Sequence, residues 1–196
     1  VKASGLTAGG TVLAPVIPTL NLTSGVLGTL ETLNLESAGA TKNTLQLKGI
    51  GAGNVAALAK TVVTGAADLD LLVAHAAING QTLDAAGHQG ALNLSIDRNN
   101  AVLATTNLTN VTGADVYTFR DSTAGGDALV ASGLASGSTV ALTYSTLGAS
   151  TLAVKGAAAG KADSLTLVLD NAADATNTAV ATSLTVADVE TLNIKS

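Results

Sequence analysis

The residues of this chain best suited to chemistry are four aspartates: Asp121 and Asp127, and Asp68 and Asp70. The stretch Asp121-Ser-Thr-Ala-Gly-Gly-Asp127-Ala-Leu129 contains Gly125-Gly126-Asp127-x-Leu129, a degenerate form of the glycine-rich nonapeptide that binds Ca²⁺ in stacked β-rolls. Asp68-Leu69-Asp70 places two carboxylates on one side of a strand, because alternate residues face alike, and carboxylate oxygens are the hard ligands that Ca²⁺ takes. Asp97-Arg98-Asn99-Asn100 gathers further oxygen donors. The four aspartates are therefore the candidate calcium ligands, against the plainer reading of each as a solvated loop acid.

No residue set suggests catalysis, and the chain is read as a non-enzyme. His75 and His88 are its two histidines, the first in an apolar run and the second in a turn. There is no Gly-x-Ser-x-Gly elbow and no His-Glu-x-x-His pair. Lys48-Gly49-Ile50-Gly51-Ala52-Gly53-Asn54 has Asn54 where a dinucleotide fingerprint needs its third glycine, and no alternation of strands and helices surrounds it, so it reads as a glycine-rich turn. Four Asn-x-Ser/Thr sequons, at Asn21, Asn93, Asn107 and Asn110, decide nothing in a chain so rich in Thr and Ser.

The elements that must position the aspartates are strands. Leu30-Glu31-Thr32-Leu33-Asn34-Leu35-Glu36-Ser37 returns as Val189-Glu190-Thr191-Leu192-Asn193-Ile194-Lys195-Ser196, and Thr44-Leu45-Gln46-Leu47-Lys48-Gly49 returns as Thr151-Leu152-Ala153-Val154-Lys155-Gly156. Both pairs alternate apolar and polar residues, the pattern of a strand with one buried face, and recurrence marks a chain built from repeats. Further strands are expected at 61–64, 69–73, 91–96, 116–119, 139–144, 164–169 and 180–186, most of them separated by Gly, Asn, Asp or Ser. Helical turns are expected at 54–60 and 124–134. Residues 1–18, which carry both prolines, read as a linker or edge segment, and 19–196 as one repeat-built β domain.

Composition selects the architecture. Hydrophobic residues make up 47% of the 196, but aromatic residues only 2%, so the core must be built from Leu, Val, Ile and Ala. Such a core suits thin stacked layers, and the fold expected is all-β, a parallel β-solenoid (β-helix) with insertions, with a β-sandwich as the alternative. A net charge of −5 gives no basic surface for phosphates, which excludes nucleic acid as a partner. No run of 18 apolar residues offers a transmembrane segment, and cysteine is absent. Without an initiator methionine or a signal-like start, the chain reads as an interior fragment of a longer one.

The paired Val/Leu-Glu-Thr-Leu-Asn-Ile/Leu strands, Gly90-Ala-Leu-Asn-Leu-Ser95, the Thr44–Gly49 unit and the acidic, cysteine-free Ala/Thr/Gly composition resemble bacterial surface-layer (S-layer) proteins, in particular the type I secreted, RTX-related class. The resemblance extends over roughly 20–196. It implies an extracellular protein of the bacterial cell surface that assembles with itself into a lattice or filament, with calcium as the ordering ion and a cell-surface polysaccharide as a further partner. The rival readings are a repeat module of a large secreted adhesin and, behind it, a polysaccharide-degrading β-helix.

Overall fold

The computed structural model describes residues 2–4, 9–11, 14–16, 18–21, 30–48, 59–98, 105–120, 128–143, 146–158, 160–169 and 181–196. Four short strands, β1 (Lys2–Ser4), β2 (Gly9–Thr11), β3 (Ala14–Val16) and β4 (Thr19–Asn21), lead into β5 (Thr32–Ala38), β6 (Asn43–Lys48), β7 (Lys60–Gly65) and β8 (Leu69–Ala74). One turn of helix, α1 (His75–Ile78), precedes β9 (Thr82–Asp84), β10 (Leu92–Asp97), β11 (Thr105–Asn107), β12 (Val111–Thr112) and β13 (Val116–Arg120). The chain continues through β14 (Val130–Leu134), β15 (Thr139–Leu142), β16 (Thr146–Val154), β17 (Ser164–Leu169), β18 (Ala181–Val186) and β19 (Thr191–Lys195).

These strands form a parallel β-solenoid. Eight of them stack in the order β4-β6-β8-β10-β13-β15-β17-β19, and facing walls are made by β1-β5-β7-β9-β12 and by β11-β14-β16-β18. Every pairing in these three sheets is parallel; among the described residues only β2 and β3 pair antiparallel. Parallel neighbours need a connection that crosses the core, and here each crossover is the strand of the facing wall. Leu69 pairs with Leu92, Asn93 with Val116 and Val116 with Thr139, three successive steps of 23 residues (92 − 69, 116 − 93, 139 − 116), whereas Thr139 to Thr166 and Ser164 to Thr191 are steps of 27. The longer steps are the insertions expected of an irregular solenoid.

Constant register aligns like with like. Along the eight-stranded sheet one inward column runs Leu45, Leu71, Leu94, Tyr117, Val140, Leu167, Ile194, and the next runs Leu20, Leu47, Val73, Ile96, Phe119, Leu142, Leu169. Each buried Leu, Ile or Phe in such a column contributes about 1.5–3 kcal/mol. The outward row on the other side of the first column, Thr44, Asp70, Asn93, Val116, Thr139, Thr166, Asn193, is largely polar. The two sequence echoes do not mark equivalent places. β5 lies in the five-stranded wall and its copy β19 in the eight-stranded sheet, while Thr44–Lys48 belongs to β6 and its copy Thr151–Lys155 falls in and just after β16, in the four-stranded wall. A strand with one apolar face fits any wall, so the motif specifies burial and leaves the wall open.

Expected strands at 61–64, 69–73, 91–96, 116–119, 164–169 and 180–186 appear within a residue of those bounds, and 139–144 gives the shorter β15. Of the helical turns, 124–134 is corrected: Val130–Leu134 is strand β14, paired with β11 and β16, because its inward Ala131 and Leu134 are required in the wall. Residues 124–127, 54–58 and the glycine-rich turn after Lys48 lie outside the described residues, and Lys60 begins a strand. Among the described residues the one helix, α1, lies outside both expected segments. It buries Ala77 and Ile78, and its end supports the first strand of the four-stranded wall: Gly80 N donates to Asn107 O at 3.0 Å and Asn107 N to Asn79 Oδ1 at 2.8 Å.

Candidate functional site

The polar residues sit where the chain turns from a facing wall into the eight-stranded sheet. A parallel stack satisfies its backbone inside strands but leaves N–H groups at every corner, and these need acceptors. Side chains of the neighbouring rung supply them. Asp68 Oδ1 accepts Ala91 N at 2.8 Å, Asp115 Oδ2 accepts Leu92 N at 2.8 Å, and Glu190 accepts Gly160 N at 3.1 Å and Asp163 N at 3.0 Å through its two carboxylate oxygens. Buried Asn43 donates through Nδ2 to Ser37 Oγ at 2.9 Å and to Ala38 O at 3.0 Å. Charged acceptors make the stronger hydrogen bonds, so these acids act as clamps between successive rungs.

This arrangement bears on the four candidate calcium ligands. Asp68 is engaged with Ala91. Asp70 points outward two residues on, and its carboxylate meets Lys42 Nζ at 2.7 Å and Asn93 Nδ2 at 3.3 Å. A cation at this pair would compete with Lys42. Among the described residues no three His, Asp or Glu side chains gather to hold a metal ion. Asp121 and Asp127 lie outside the described residues; the residues that flank their segment in sequence both meet Arg98, 2% exposed, whose Nη1 donates to Ala128 O at 2.9 Å and whose backbone N donates to Arg120 O at 2.9 Å. The partners of Asp68 and Asp70 stand 23 and 28 residues away (91 − 68, 70 − 42), a distance that no local motif reports.

Lys60 Nζ lies 2.8 Å from Asp84 Oδ2 and, with the backbone N–H of Ala86 adding to it, holds that carboxyl below its ordinary value. The pair is solvent-exposed, so it adds little to stability. Burial pushes the Tyr117 phenol up to about 12, and its hydroxyl lies near the Ala135 backbone without reaching hydrogen-bonding geometry. His88 is half-buried at the bridge to Gly65, with both ring nitrogens enclosed and no hydrogen-bond partner. Neither histidine joins a nucleophile or an acid in a catalytic array among the described residues.

His75 gives this fold an acid sensitivity. Its Nε2 lies 3.3 Å from Thr105 O, joining α1 to β11. Burial lowers its pKa below the ordinary 6.5, the Thr105 carbonyl opposes that shift, and the nearby Arg98 charge adds to it. The folded chain therefore binds this proton less readily than the unfolded chain. Its contribution is complete above the unfolded pKa and declines as pH falls through that value towards the lowered folded one. The thermal midpoint is expected to fall between about pH 7 and pH 5, with a His75→Gln variant flattening that part of the profile; an unchanged slope in the variant would assign the fall to other groups.

Among the described residues two large apolar side chains are exposed. Leu192 and Ile194 on β19 are 40% and 63% exposed, whereas their counterparts in the motif, Leu33 and Leu35 on β5, are 5% and 1% exposed. The alternating pattern promised both pairs a buried face. β19 is the edge of its sheet, so its inward residues face the end of the core with no strand beyond them among the described residues. No helix among the described residues is long and apolar enough to cross a membrane. No family model, no curated protein and no solved structure matches this chain, so what it is rests on its own solenoid and on the surfaces just described.

Proposed function

We propose that this chain is a structural, self-assembling protein of the bacterial cell surface, of the surface-layer type, which forms an extracellular lattice ordered by calcium and attached through a cell-surface polysaccharide. The observation that supports it is the architecture. The solenoid turns straight rows of short, mostly polar side chains outward, such as Thr105, Val130, Thr151 and Thr185 on the four-stranded wall, and three of its described acids, Asp68, Asp115 and Glu190, clamp neighbouring rungs. Such walls are flat and weakly charged, and copies can pack along them without strong mutual repulsion. In this reading calcium enters at Asp121 and Asp127, and at Asp68 and Asp70 it replaces Lys42.

Electron microscopy of the purified chain with Ca²⁺ and then with a chelator tests the proposal. Ordered sheets or filaments that disperse on chelation are expected, with Asp127→Asn raising the Ca²⁺ concentration needed. Assembly indifferent to the chelator would keep the lattice and remove the metal from it. A chain that stays monomeric in both conditions would overturn self-assembly and favour an adhesin module.

A further inference from the structure

We infer that Asn79–Gly80 is a site of spontaneous deamidation, which the folded chain holds unreactive by pinning both reacting groups to β11. The modification needs neither calcium nor assembly. Asn79–Gly80 is the only Asn-Gly pair in the sequence. Deamidation joins the main-chain nitrogen of the following residue to the Asn carboxamide carbon, and glycine, with no Cβ, hinders that nitrogen least. Both residues are exposed, and nothing stands within 4 Å of where a Gly80 Cβ would lie, so water and hydroxide reach the pair. Hydroxide takes the Gly80 amide proton, the nitrogen bonds to Asn79 Cγ, and the side-chain nitrogen leaves as ammonia with a proton from water, which restores the hydroxide. The five-membered imide then takes up one water. Opening at the side-chain carbonyl gives an ordinary aspartyl residue, and opening at the main-chain carbonyl gives an isoaspartyl link.

The fold blocks the attack on Cγ. Gly80 N–H, the nucleophile, donates to Asn107 O at 3.0 Å, and Asn79 Oδ1, on the electrophile, accepts Asn107 N at 2.8 Å. Asn110 Nδ2 donates to Gly80 O at 3.2 Å and fixes the far side of the same glycine. Asn79 has ψ of 106°, which turns the Gly80 nitrogen away from the side of Cα that carries Cβ. Ring closure therefore needs that peptide rotated and its bond to Asn107 broken. Asn107 ends β11, the edge strand of the four-stranded wall, whose other side is held by β14, so the wall itself restrains the pair. A local opening that lifts the single turn α1 from β11 removes the restraint without unfolding the stack. The two products then behave differently. An aspartyl carboxylate keeps an oxygen where Oδ1 stood and still accepts Asn107 N. An isoaspartyl link adds a methylene to the main chain between that acceptor and Gly80 N–H, so the two no longer match Asn107 together, and the β11 edge loses its cover.

The test incubates the full chain at mildly alkaline pH, folded and in unfolding urea, and follows Asn79 by peptide mass mapping with the aspartyl and isoaspartyl products separated by chromatography. Hydrogen exchange at the Gly80 amide is measured alongside. Expected is reaction at Asn79 in urea and a rate about tenfold or more lower in the folded chain, set by how rarely the contact opens. The slowing should be at least as large as that of Gly80 exchange, since exchange needs the hydrogen bond broken and deamidation needs the peptide rotated as well. No reaction in urea would overturn the site. A folded chain that reacts as fast as in urea, or is slowed less than Gly80 exchange, would overturn its protection by β11. An Asn79→Asp variant supplies the new charge without the longer main chain. Its thermal midpoint should stay near wild type while that of the purified isoaspartyl product falls; equal midpoints for the two would overturn the loss of the β11 contact.

Discussion

A Gly65→Ala variant is expected to lose more than about 3 kcal/mol of stability, a large share of what a domain of this size has to lose. Gly65 has φ of +103°, which a side chain strains by itself, and an added Cβ would fall on the Ser37 carbonyl of the neighbouring rung. That carbonyl cannot retreat. It accepts Ala67 N at 3.3 Å, and Ser37 is fully buried with its hydroxyl held by Asn43. Gly137→Ala is the control: φ there is +85°, but nothing stands within 4 Å of the new Cβ. It should cost only the backbone term, about 1–2 kcal/mol. Urea denaturation of the two variants separates clash from strain; equal losses would mean that the corner at Ser37 is not tightly packed.

The second large effect belongs to the aromatic layer. Phe119 is fully buried in its column between Ile96 and Leu142, and Tyr117 stands beside it between Leu94 and Val140. Among the described residues the core is otherwise aliphatic, and these rings fill one rung that no neighbour can reach across to refill. Phe119→Ala is expected to cost about 3–5 kcal/mol, the upper part of the range for large-to-small changes, because rungs fixed by backbone hydrogen bonds on both sides collapse poorly into the void. Calorimetry would show it as a lowered midpoint, and a loss below about 1 kcal/mol would indicate that the stack relaxes more freely than its register suggests.

The strands were legible in the sequence because alternation is a local signal. Leu45, Leu47, Leu71, Val73, Leu94 and Ile96 each sit two residues from an apolar partner, and each such pair became two inward columns. The fold class followed from the scarcity of rings together with those repeats. What alternation does not encode is the wall to which a strand goes. The copies of Leu-Glu-Thr-Leu-Asn-Leu ended in different sheets with opposite exposure, since neighbours 23 to 28 residues away decide both. Val130–Leu134 read as a helical turn because Gly133 interrupts its alternation, and there the register against β16 indeed shifts between Ser132 and Leu134. The clamp at Glu190 was hidden in plain view: its motif was recognised for the leucines beside it, while the amides it serves, Gly160 and Asp163, lie in another turn. For the aspartates, residue type suggested a metal, and only the rung-to-rung register revealed Ala91 and Lys42 as partners of Asp68 and Asp70.

The inward columns also set how this molecule scales. A globule that gains residues thickens, and its interior grows faster than its skin. Here the cross-section is fixed at one rung, so each added rung brings its own share of interior and skin in constant proportion, and the proportion of buried to exposed residues is independent of length. The free energy of this protein therefore grows as a line does, by a similar gain for each unit of length.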